Sequence, residues 1–167
     1  MTTFNVEIAL ASSIIPAPAK ATLPRGWDSI MPIKTKRWND PVERDDGFRL
    51  LICRYWPRGV SKTKKTWDSE RCQLGPSKKL HAAFYGKHGP PLSWEDYRQK
   101  YLAEMEGEEQ QDLIRQLAEL VAEGKTVTLL CSSACVDESH CHRTLLRQLI
   151  EQRVSTMQNS QPLNKGR

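Results

Sequence analysis

The sequence predicts an α/β fold: a single small domain with a mostly parallel sheet and helices packed on its faces. Three observations predict it. Residues 48 to 53, FRLLIC, are nearly continuously apolar, as a strand covered on both faces requires. Residues 108 to 153 read helix, strand, helix, the alternation that crossover connections in a parallel sheet produce. A chain of 167 residues with 38% hydrophobic content supplies one sizeable core but is short for two.

Along the chain, residues 1 to 30 read as an extension. Phe4, Val6, Ile8 and Leu10 alternate at period two, as in an edge strand, and SSIIPAPAKATLPRG follows as a Pro-rich connector. The α/β domain is expected over 31 to 154. It opens with MPIKTKRW, of β character, and the turn signal NDPVERDDG. The strand at 48 to 53 is the expected sheet centre. Pro57 and Gly59 then exclude regular structure, and PSKKLHAAFYG is basic and partly helical.

The next helix, 94 to 105, has a clear start: Ser93 can cap, Asp96 stands three residues on as its reciprocal partner, and Leu92 and Tyr97 are spaced as an apolar staple. Leu113, Ile114, Leu117, Leu120 and Val121 recur at helical spacing up to the stop at Gly124. A buried strand at 126 to 130 leads straight into Cys131. Leu145, Leu146, Leu149 and Ile150 mark a last helix over 140 to 153, and 155 to 167 reads as a flexible tail.

Charge is distributed in two blocks within the net +5. From Arg54 to Lys87 nine Lys or Arg stand against Asp68 and Glu70; from Glu95 to Glu123 nine Asp or Glu stand against three basic residues. The first block is either a solvated loop or a face for an anionic ligand or nucleic acid. The five cysteines, irregularly spaced and odd in number, favour a reducing cytoplasm over a disulfide framework. No stretch approaches a membrane span or a signal peptide, so no membrane partner is expected.

Residues 131 to 143, CSSACVDESHCHR, hold three of the cysteines and two of the four histidines. In open α/β sheets ligands collect beyond the carboxyl ends of strands. Strand 48 to 53 delivers Arg54, Trp56 and Arg58 there, and strand 126 to 130 delivers this turn. With Ser139 as the cap, His140, Cys141 and His142 would occupy the first helical turn, whose free N–H groups favour an anion. Cys141, near Arg143, is then the preferred reactive thiol with His142 assisting, unless it is a small apolar side chain filling the gap behind the helix. Arg54, Arg58, Arg143 and Arg37 are the expected anion-binding groups. Trp56 either stacks on a base or packs inward, in which case the flanking arginines would pair with acidic neighbours such as Asp40 or Asp46.

Metal binding is the rival reading, through Cys131, Cys135, His140 and Cys141. The spacing lacks the two separated ligand pairs of a zinc site, and adjacent residues at a helix start point about 100° apart. A tight phosphatase- or sulfurtransferase-like loop does not fit either, because no cysteine here stands at the required distance before Arg143. A third reading is a non-catalytic module that binds nucleic acid or an acidic protein through residues 54 to 87, although no nucleic-acid motif is present. No cofactor is named by any of these features.

RWNDPVERDDGFRLLICRYWPRGVSKTK, LGPSKKLHAAFYGKHG, WEDYRQKYLAEM, and VTLLC with CHRTLL resemble, in this order, the landmarks of the domain of unknown function 488 family over about residues 32 to 152. The resemblance implies a compact cytosolic bacterial or archaeal α/β domain and no assigned reaction. Where family members have a shorter acidic turn before CHR, this chain has SSACVDESH, which adds Cys135 and His140 and leaves Glu138 nearest to the usual turn carboxylate.

Overall fold

The computed structural model describes residues 32–160. The expected edge strand at Phe4 to Leu10 and its Pro-rich connector lie outside the described residues, as does the end of the expected tail. Four strands, β1 (Ile33–Arg37), β2 (Phe48–Leu51), β3 (Ser69–Glu70) and β4 (Val127–Cys131), form one sheet in the order β1-β4-β2-β3, parallel at every pairing. β2 is an interior strand, and β4, whose five residues are all buried, lies beside it. Gly47 turns the chain into β2 at φ 59°; any Cβ there would run into the backbone of Thr126.

Four α-helices complete the domain: α1 (Lys78–Phe84), α2 (Trp94–Met105), α3 (Glu108–Ala122) and α4 (His142–Asn159). Ser93 caps α2 by accepting from the Asp96 amide at 3.1 Å, and its hydroxyl donates to the Asp96 carboxylate at 2.7 Å. The last helix starts two residues later than 140 and runs six residues beyond 153, into the segment expected as tail.

Strand alternation divides the core. Ile33, Leu50, Val127 and Leu129 meet the buried side chains of all four helices, including Leu80, Tyr101, Leu117 and Leu146. Leu51 and Leu130 point to the other face, where Trp67 covers them with Trp38 and Val60 packed alongside. Loop residues thus seal the second face. Beside this patch the same face is polar. Asp46, 1% exposed, pairs with Arg49 and, at 2.6 Å, with Lys36, and its carbonyl accepts from Thr128 Oγ1 at 2.6 Å. Burial therefore leaves these charges neutralised.

Among the described residues no helix is long and apolar enough to cross a membrane.

Candidate functional site

Because β1, β2 and β4 run parallel, the segments that follow them emerge together. They surround a cleft of about 900 Å³. β2 contributes Cys53 through Arg58, β4 contributes Cys131 through Cys135, α1 supplies His81, Phe84 and Tyr85, and α4 supplies Cys141 and His142 at its start. His81 and Tyr85 reach the cleft together because residues four apart share a helix face. Arg54, Arg58 and Lys87 also line it, and no carboxylate does among the described residues. Tyr55, Trp56 and Tyr85 are exposed at its rim.

Three sulfurs converge inside. Cys131, Cys135 and Cys141 place their Sγ atoms within 4.8 Å of one another. The parity that puts Leu129 on the helical face puts Cys131 there as well, beneath the start of α4. Cys141 Sγ donates to Cys131 Sγ at 3.5 Å, and Cys131 Sγ donates to Cys135 Sγ at 3.3 Å. This relay ends on the half-buried Cys135. Hydrogen bonds from Cys131 and then Cys141 hold its thiol down to about 3, against burial. Cys131 moves up, through its bonds to Cys135, Cys141 and Cys53 and through burial. For Cys141 the bond to Cys131 acts downward, but Cys135 and burial outweigh it and push the thiol up to about 12. The hydrogen bonds of the trio therefore favour the thiolate at Cys135, the sulfur nearest solvent.

Of the two readings of Cys141, its burial favours the small apolar side chain behind the helix. Cys141 is only 2% exposed and is itself the residue before the first helical turn, while Ser139 spends its hydroxyl on Asp137 at 2.6 Å instead of capping α4. Of the three clustered thiols the most accessible is Cys135, which is half-buried. His142 is buried against Cys131, both ring nitrogens 3.8 Å from its sulfur. Its Nε2–H donates to the Ile52 carbonyl at 3.3 Å, so Nδ1 is left as an acceptor. Burial holds the ring neutral, with its pKa lowered to about 4. His81 is likewise held down by burial and by Lys87.

The arginines divide. Arg54 and Arg58 line the cleft, although Arg54 Nε donates to the Pro76 carbonyl at 2.5 Å. Trp56 is anchored through its indole N–H to the Val60 carbonyl at 2.7 Å and rests against Trp67, and so serves the corner and the rim at once. Arg37 turns away to Asp40 at 2.7 Å, and Asp46 goes to Arg49, so neither acidic residue pairs with the cleft arginines. Arg143 is 4% exposed and lies outside the cleft lining, its Nη2 3.9 Å from Glu138. A helix start at His142 sends the side chain after it away from the sulfurs.

Of the four residues expected in a metal set, the structure gathers Cys131, Cys135 and Cys141 and leaves out His140, which bonds Asp137 at 2.6 Å and packs edge-on against Trp94. The trio can present three soft donors, one short of the four a structural zinc takes. Sequence reasoning missed His81, Tyr85 and Cys53, and had Lys87 only as the end of the basic block. The i, i+4 spacing of His81 and Tyr85 was the one local signal for any of them.

The family model described as the active DUF488-N3 subclade matches residues 33–154. The uncharacterized protein YeaO of Escherichia coli (strain K12) is 37% identical over 110 residues, covering 66% of this chain and 90% of that protein. No solved structure matches. The residues that build both the sheet and the sulfur-lined cleft all fall inside the matched span, and on that match the chain belongs to the domain of unknown function 488 family.

Proposed function

We propose that this protein is a thiol-dependent enzyme or sensor that binds a small anionic or nucleotide-like ligand in the cleft, with the Cys135 thiolate facing the ligand. The observation that carries this reading is the lining itself: three cations, exposed aromatic rings and a cysteine trio, with no carboxylate among the described residues. A cation-only lining selects anions, and guanidinium and ammonium groups in a partly desolvated cleft make strong charge-assisted bonds to phosphate or carboxylate. Tyr55, Trp56 and Tyr85 offer ring surface for a base. Arg54, Arg58 and Lys87 of the basic segment turn toward one concavity, which favours a small ligand over an extended polyanion. Free thiols held this close require a reducing compartment, the cytoplasm. The description of the matching subclade as active suits a site that keeps its reactive groups.

Titration with adenosine monophosphate and with inorganic phosphate, followed by tryptophan fluorescence, tests the reading. Arg58→Ala and Lys87→Ala are each expected to weaken binding about tenfold, the loss of one charge-assisted bond. Arg37→Ala should leave it unchanged, since that side chain is committed to Asp40. Absence of binding at millimolar anion, or equal weakening by Arg37→Ala, would remove the proposal.

A further inference from the structure

The three sulfurs are not equivalent, and their arrangement supports a reaction. Cys135 is half-buried in the irregular segment 132 to 140, whereas Cys131 and Cys141 are buried at the ends of β4 and α4. The half-buried sulfur can meet a solute, and the fully buried one 3.3 Å behind it cannot. We propose that Cys135 and Cys131 form a two-electron dithiol centre: a hydroperoxide oxidises Cys135, and Cys131 resolves the product to a disulfide. The inference rests on the proposed role of Cys135 as the sulfur facing the cleft.

In the first step the Cys135 thiolate attacks the terminal oxygen of the hydroperoxide. The O–O bond breaks, an S–O bond forms, and the leaving alkoxide or hydroxide takes a proton from solvent. In the second, Cys131 sulfur attacks the Cys135 sulfenic acid. An S–S bond forms and hydroxide leaves, becoming water with the proton that Cys131 gives up. His142 Nδ1, 3.8 Å from Cys131 Sγ and free to accept, is placed to carry that proton. The two sulfurs together lose the two electrons that the peroxide gains.

Geometry selects this pair over Cys131 and Cys141. Bonding needs the sulfurs to close from 3.3 Å to about 2.05 Å. Cys135 lies in an irregular segment free of helix or strand, while Cys141 is held at the boundary of α4 and is buried.

The experiment uses the full chain, reduced and freed of reductant, then treated with hydrogen peroxide, blocked with a maleimide and mapped by mass spectrometry with and without dimedone. Wild type is expected to yield a Cys131–Cys135 linked peptide that a dithiol reductant reverses. Cys131→Ser should instead accumulate sulfenic acid, with dimedone labelling of Cys135 up about tenfold, because the resolving thiol is gone. Cys141→Ser should still form the link.

Three wild-type results would overturn the inference: sulfenylated Cys135 that persists without a disulfide, a link to Cys141, or a protein that purifies with zinc on these sulfurs and resists peroxide. The first would leave the anion-binding reading intact. Loss of anion binding with the disulfide still formed would remove that reading and spare this one.

Discussion

Replacing Asp46 by alanine is expected to destabilise the domain by about 3–5 kcal/mol, the usual cost of removing one partner from a buried ion pair. Asp46 is almost fully buried and lies among Lys36, Arg49 and, more distantly, Lys34, and its carboxylate also accepts the Glu43 amide at 3.1 Å. Alanine would leave the Arg49 guanidinium, itself 5% exposed, without its carboxylate partner. It would also loosen the turn that delivers β2 to the sheet. Urea denaturation of the single variant reads the loss directly. Burial opposes ionisation of Asp46, but the hydrogen bond from Lys36 and the Glu43 amide win and its pKa is lowered. A carboxyl depressed in the fold stabilises above its unfolded pKa, near 3.8, and that contribution disappears as pH falls through the folded value.

Acid sensitivity should begin well above that range because of His142. In the unfolded chain this imidazole takes a proton near pH 6.5; in the fold burial delays it until about 4. Between those values the unfolded state binds more protons, so stability falls as pH falls. The full window corresponds to about 3 kcal/mol, at roughly 1.4 kcal/mol per pH unit. His81, also held neutral by burial, acts in the same direction. Urea midpoints measured from pH 7 to pH 4.5 should therefore drop steadily in the wild type. His142→Gln should flatten most of that slope, while the carboxylate loss below pH 4 persists. A wild-type midpoint constant over this range would contradict the buried neutral imidazole.

Much of the fold was legible because it is written at short range. The apolar run at β2, the helical spacing of Ile114, Leu117 and Val121, and the Ser93 cap each carry a local physical signal, and each lies where that signal points. The parallel arrangement followed from alternation of strands and helices. The cover of the second face was not legible, since Trp67 sits in a loop without periodicity and reaches Leu51 and Leu130 only through tertiary contact.

The site was legible in part for the same reason. That residues after β2 and β4 share a cleft follows from topology. Which cysteine is exposed does not, because the turn at 132 to 140 has no repeat to orient its side chains. The start of α4 was misplaced because Ser139 is a strong capping type, yet its hydroxyl is captured by Asp137 and its amide bonds the same carboxylate. That two-residue shift moved Cys141 from the first turn to the boundary and turned Arg143 away from the cleft. Lys87 follows α1, and the basic block that ends on it does not reveal which of its charges face the cleft.

The central claim is that the negative charge of the sulfur trio rests on Cys135 at the edge of a cationic cleft. Its most direct test is the rate of iodoacetamide alkylation of each cysteine in the native protein from pH 5 to pH 8, resolved by peptide. An ordinary thiol speeds up by nearly three orders of magnitude over that range as its thiolate fraction grows. Cys135 is expected to react first, at a rate that changes by less than about twofold, because its thiolate is already formed. A Cys135 rate that climbs about tenfold per pH unit, or label appearing first on Cys141, would contradict the account.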